Sequence, residues 1–208
     1  MLLFRTVFLI GSALALSACK PAEAPVADVQ PAAVDVEPAA MPQTQVAASA
    51  RASLAAVGDS GVGGNLAFDI DNGGVRVTGS LTGLEPGSTH GFHVHEFGDC
   101  SAPDATSAGG HFNPAQQPHG NRGAGGTHHA GDIPNQVAGD NGEARVDQLL
   151  TGLEIGSGGA NDIVGKGVIV HAKADDYMTQ PTGDAGGRIA CGVIELGNAP
   201  PTSIDPAT

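Results

Sequence analysis

The sequence predicts an all-β domain: an antiparallel sandwich or flattened barrel with long, shaped loops. Three observations carry that expectation. Apolar residues recur with period two over several short runs. Glycine is abundant, 32 of 208 residues, with no collagen-like repeat. Trp is absent and Tyr occurs once, so the core must rest on Val, Ile, Leu and Ala with six Phe.

The runs follow in order. Leu66, Phe68 and Ile70 alternate with Ala67 and Asp69. Asp71-Asn72-Gly73-Gly74 reads as a turn, and Val75 and Val77 alternate with Arg76 and Thr78 on the returning strand. Residues 81–87 make a connection, and His90–His95 forms another strand with Phe92 and Val94 on one face. Residues 142–150, 166–173 and 188–196 supply three more. Between His95 and about residue 138 the periodic pattern lapses. A patternless loop of that length argues against a compact domain unless something else holds it in place. This stretch carries His111, His119, His128 and His129 and one cysteine.

The flanks differ from the domain. Residues 1–18 join one cation, Arg5, to an apolar run and small residues, which is a signal-peptide pattern. The run ends Leu16-Ser17-Ala18-Cys19, which resembles a bacterial lipoprotein box with Cys19 as the lipidated residue. Residues 19–52 read as an extended Ala/Pro-rich spacer and 199–208 as a similar tail, which leaves a domain at 53–198. The expected location is the periplasm or cell envelope, with the chain held to a membrane through the lipid. Export places Cys100 and Cys191 where disulfides persist. A net charge of −13 argues against nucleic acid, whose phosphates require clustered Lys and Arg.

Seven of the eight histidines lie between positions 90 and 129. His93 and His95 form H-x-H on a strand. Alternation puts both on one face, with Cα atoms about 6.6–6.8 Å apart, a spacing from which two imidazoles can converge on one metal. His111 follows two glycines, and His119, His129 and Asp132 come after it; three His and one Asp make a closed four-ligand set that suits structural zinc. His128 competes with His129 for that place, and spacing alone does not choose between them. His171 ends the apolar run Val168-Ile169-Val170, so it is expected buried and in need of a partner. His90 has no constellation around it.

GFHVHEFGDC (91–100), SAGGHFNP (107–114), HHAGD (128–132), VHAKADD (170–176) and GGRIACGV (186–193) together resemble the signature segments of the copper-zinc superoxide dismutases, in the same order. The resemblance implies a Greek-key, Ig-like β-sandwich. It implies copper on His93, His95, His111 and His171, one ion per subunit. Zinc would sit on His111, His119, His129 and Asp132, again one per subunit, with His111 shared between the metals. It makes Asp175 the carboxylate that links His93 to His119, Cys100–Cys191 the disulfide, and Arg188 the arginine that meets superoxide anion. The implied activity is dismutation of superoxide to dioxygen and hydrogen peroxide, with His111 and Arg188 as the catalytic residues. A homodimer is left open.

Two features depart from the eukaryotic branch. The loop cysteine is Cys100, whereas Ala105 stands six positions before the shared histidine. Segment 176–187 is short and lacks a run of charges. A metal-binding module without turnover is the competing reading, and a purely structural sandwich is a weaker one. The first would lack a ligand or the arginine; the second would not need histidines at these positions.

Overall fold

The computed structural model describes residues 48–197. The proposed signal peptide (1–18), Cys19, nearly all of the proposed spacer and the tail 199–208 lie outside the described residues. The strands are β1 (Ser49–Ala56), β2 (Gly63–Asp71), β3 (Gly74–Thr82), β4 (Thr89–His95), β5 (Asp132–Val137), β6 (Ala144–Thr151), β7 (Gly167–His171), β8 (Arg188–Val193) and the short β9 (Glu195–Leu196). All pairings between named strands are antiparallel, in the order β5-β4-β7-β8-β1-β2-β3-β6, and β9 pairs with β1. β3 neighbours β6 although β4 and β5 intervene in sequence. This Greek-key crossing folds the sheet into a nearly closed barrel, the all-β fold expected.

The β2–β3 hairpin is the pairing read from the sequence. Phe68 faces Val77 and Ile70 faces Val75, and Asn72 and Gly73 both take positive φ in the turn. Phe68, Val75, Val77, Leu81, Phe92, Val94, Leu150, Ile163, Val168 and Val170 meet in the barrel and are fully buried. Burying such side chains stabilises the fold by about 1.5–3 kcal/mol each.

Four expectations are corrected. The spacer does not run to residue 52, because β1 begins at Ser49. Ala50 and Ala52 lie opposite Phe68 and Leu66 and are buried beneath them; small inward residues fit beside a large neighbour but look like spacer in a sequence. The stretch from 96 to 138 is not all loop, since β5 lies within it. β5 contains Pro134 and pairs through a register shift between His90 and Phe92, so its alternation is broken. Pro is tolerated there because β5 is the terminal strand of the order. Finally, the last predicted strand divides at Ile194 into β8 and β9, and β7 ends at His171 rather than residue 173.

β4 does the positioning. Phe92 and Val94 point into the barrel, and His93 and His95 point away from it, beneath the loop that joins β4 to β5. A second apolar cluster of Ala105, Ala108, Ile169 and Cys191, with Val57 and Cys100 against it, packs the first part of that loop onto β7 and β8. The Cys100–Cys191 disulfide joins the two there, with Cα atoms 5.9 Å apart.

Candidate metal centre

Three strands and the long connection between β4 and β5 bring the histidines and Asp132 together. His93 and His95 come from β4, and His171 is the last residue of β7. Asp132 opens β5 opposite His93. His111 forms an isolated bridge with His95, and His119 and His129 come from the loop before β5. Two groups result: His93, His95, His111 and His171; and His111, His119, His129 and Asp132. Within each group the potential ligand atoms lie within 4.8 Å of one another, and all seven residues are buried. His111 belongs to both. His129, not His128, is in the second group; Nδ1–H of His128 donates instead to the His129 carbonyl at 2.7 Å.

Hydrogen bonds fix which nitrogen of each ring is free. Nδ1–H of His95 donates to the Gly109 carbonyl (2.9 Å) and Nδ1–H of His171 to the Gly186 carbonyl (3.1 Å). Nε2–H of His93 donates to Oδ2 of Asp175 (2.8 Å) and Nε2–H of His119 to Oδ1 of the same carboxylate (2.9 Å). Carbonyl and carboxylate oxygens only accept, so the proton must sit on the nitrogen facing them. The Nε2 atoms of His95 and His171 are then lone-pair donors that face each other across 3.4 Å. Nδ1 of His93 and Nε2 of His111 are buried with no hydrogen-bond partner. Uncompensated buried lone pairs are costly, and four nitrogens this close together could hold a cation.

The second group has the same character. Nδ1 of His119 and His129 lie 3.0 and 3.4 Å from Asp132 oxygens, close enough for ion pairing, yet neither is in hydrogen-bond geometry. Asp132 is itself oriented, because Oδ2 accepts from the main-chain N–H groups of Gly120 (3.1 Å) and His129 (2.7 Å). Its other oxygen faces Nδ1 of His111 at 2.8 Å.

Burial sets the protonation of most of these rings. Desolvation lowers His171 to about 3, helped by the nearby charge of His93. Desolvation lowers His111 to about 4 against the opposing Asp132 bond, and it also lowers His93 and His95. These imidazoles are neutral at pH 7, the form that ligates metal. His119 differs: burial alone would lower it, but Asp132 and Asp175 on either side raise it to about 9. Asp132 and Asp175 are held well below the usual carboxylate range, their histidine hydrogen bonds outweighing burial.

Arg188 stands beside the first group as the register partner of His171. Its guanidinium donates to the carbonyls of Ala105 and Gly109 in the first loop. Two of its five N–H donors are so engaged, leaving three.

Several contributors had no legible sign in the sequence. The Gly109 and Gly186 carbonyls act as backbone, which carries no residue signature. Nδ1–H of His90 supports the site from behind by donating to the His171 carbonyl (2.7 Å), with Nε2 against Ser88 Oγ (2.6 Å). Arg122 donates to the Asp132 and Thr151 carbonyls at 2.7 and 3.2 Å and to that of Ala130, closing the loop onto β5 and β6. The Asn135 amide pairs with the main chain of Asp175.

Several known proteins are similar to this chain in sequence and fold. A superoxide dismutase [Cu-Zn] of Arabidopsis thaliana is 41% identical over 153 residues, 70% of this chain and 90% of its own length. A superoxide dismutase-like protein of Bacillus subtilis, YojM, is 41% identical over 133 residues, 62% of this chain and 67% of its own. Among solved structures, the clock protein EA4 superposes with a TM-score of 0.64 at 39% identity, covering 73% of this chain and 96% of that one. A double mutant of a Bacillus subtilis SOD-like protein, with histidines replacing a tyrosine and a proline, gives 0.63 at 37% identity over 70% and 96%. Residues 62–194 match the family described as copper/zinc superoxide dismutase. With the barrel, the paired histidine groups and that match in agreement, the chain belongs to the copper/zinc superoxide dismutase family.

Proposed function

We propose that the protein dismutates superoxide: two superoxide anions and two protons become one dioxygen and one hydrogen peroxide. The observation that carries this reading is the place of His111 in both ligand groups. His93, His95, His111 and His171 would hold copper, because four imidazole nitrogens suit Cu(II). His111, His119, His129 and Asp132 would hold zinc, which favours a closed four-ligand set.

When bound, copper supplies reversible one-electron chemistry and zinc a fixed charge without redox. The remaining work falls to the chain. Arg188 offers its free donors to an anion beside the copper set, and Lys173, whose stem packs on Gly186, adds positive charge nearby. Nε2 of His111, buried without a hydrogen-bond partner, would be the atom that holds a proton and passes it to the product. Asp175 and the Gly109 and Gly186 carbonyls hold the ligand rings in one tautomer. The short segment 176–187 lacks a run of charges, so attraction of substrate rests mainly on Arg188 and Lys173.

We place the protein in the cell envelope, lipid-anchored at Cys19, on the strength of residues 1–19 alone. Dismutation assayed on the purified protein before and after loading with copper and zinc tests the activity. Turnover that appears on loading and disappears with a copper chelator is expected; two bound metals without turnover would refute it. That second outcome would favour a metal-binding module on the same fold. This chain carries all seven ligand positions and Arg188, which is why the enzyme reading is preferred.

A further inference from the structure

Segment 176–187 reaches back to the second ligand group through one side chain. The main-chain N–H of His119 donates to Oε1 of Gln180 at 2.9 Å, and Nε2 of Gln180 donates to the His119 carbonyl at 3.0 Å. A single amide thus satisfies both backbone groups of one residue, as an adjacent strand would. Two bonds in opposite senses fix the height of the His119 backbone and its rotation, and rotation decides where Nδ1 points.

The surroundings show that this contact is built in. The His119 ring is held at Nε2 by Asp175. Gly183, at φ +66°, lies directly on that pair, where a Cβ would come within 2.7 Å of His119 Nε2 and collide with the Asp175 carboxylate. The segment can approach so closely only as glycine. At the other end of the pair, the Asn135 amide accepts from Asp175 N–H at 2.9 Å and donates to the Asp175 carbonyl at 2.8 Å. Each backbone end of the His119–Asp175 pair is therefore clasped by a reciprocal amide, one from β5 and one from segment 176–187. The segment also supplies the Gly186 carbonyl that orients His171, so it touches both ligand groups.

We infer that Gln180 is a positioning residue for the zinc site: by clasping the main chain of His119 it keeps Nδ1 aimed at the metal and ties segment 176–187 to zinc occupancy. The inference rests on the zinc assignment proposed above. Partners that orient a ligand typically affect metal affinity by about 10–100-fold. One clasp beside the Asp175 bond places Gln180 at the lower end.

The test uses the full chain, with zinc affinity read by chelator competition and site geometry by the visible spectrum of cobalt at the zinc position. Gln180→Ala should weaken zinc about tenfold and shift the cobalt bands, with copper affinity and the unfolding midpoint of the metal-free protein changed little. Gln180→Glu keeps the acceptor for His119 N–H but loses the donor to its carbonyl, and should fall between; it decides the matter if the alanine variant folds poorly. Zinc affinity and cobalt bands matching the parent would overturn the inference, as would equal losses of zinc, copper and fold stability. A parent that binds no zinc would overturn the zinc assignment as well, an outcome distinct from an unresponsive variant.

Discussion

Arg188 and His95 meet at one atom: the Gly109 carbonyl accepts from the Arg188 guanidinium and from Nδ1–H of His95 at 2.9 Å. The residue proposed to meet the anion and a histidine of the proposed copper set are thus held to one point of the same loop. Replacing Arg188 with Ala removes the anion donors but leaves the His95 bond in place. Arg188→Ala should retain both metals while the rate falls about tenfold or more and its dependence on salt flattens, because local steering is lost. Stopped-flow rates at several ionic strengths check this.

Asp175 orients one ring from each group, at 2.8 Å from His93 and 2.9 Å from His119. Asp175→Ala should therefore weaken both metals, by about 10–100-fold, where Gln180→Ala weakens chiefly zinc. Parallel chelator competition for copper and zinc distinguishes the two variants.

The Cys100–Cys191 disulfide spans 91 residues and anchors the loop whose Ala105 and Gly109 carbonyls hold Arg188. Chain entropy sets about 4–5 kcal/mol as the upper stabilisation from such a crosslink. Cys100→Ser with Cys191→Ser should lower stability by a part of that in urea unfolding. It should also reduce turnover at full metal content, because the loop no longer fixes Arg188.

The metal-free protein should be most stable near pH 6.5. His111 and His171 titrate at about 4 and about 3 when folded, against 6.5 unfolded. The unfolded chain takes up protons first on acidification. Their contribution is present above pH 6.5 and is lost as pH falls through about 4 and 3, with a slope of about 1.4 kcal/mol per pH unit for each group. Asp132 and Asp175, depressed from 3.8, add to that acid loss. His119, raised to about 9, acts in the opposite direction: its contribution is present below 6.5 and is lost as pH rises through about 9. Urea midpoints measured from pH 4 to 10 should trace a maximum, and bound zinc should remove the alkaline limb by taking the place of the His119 proton.

Cys19→Ser should release the protein from membranes. Fractionation of cells that express the variant checks this, and a variant that stays with the membrane would rule out the lipid as its tether.

The sequence disclosed the barrel wherever strands alternate large and small, as in the β2–β3 hairpin with Phe68 against Val77. It concealed β1, where Ala50 and Ala52 are inward because Phe68 and Leu66 fill the space above them. It concealed β5, where Pro134 and a register shift break the period. Spacing suggested that His93 and His95 share a face and that a four-ligand set follows His111. It could not separate His128 from His129, since that choice depends on the turn into Asp132, whose carboxylate bonds to His129 N–H. The Gly109 and Gly186 carbonyls hold the His95 and His171 rings, and the Asn135 and Gln180 amides hold the main chain of Asp175 and His119, all from positions distant in sequence. They matter by location, and only the fold provides that.

One copper on His93, His95, His111 and His171 is expected to turn over superoxide. Copper titrated into the zinc-loaded protein, with the rate of superoxide decay measured at each addition, tests it most directly. The rate should rise linearly and stop rising at about one copper per chain. Copper that binds to that ratio while superoxide decays no faster than with zinc alone would contradict it.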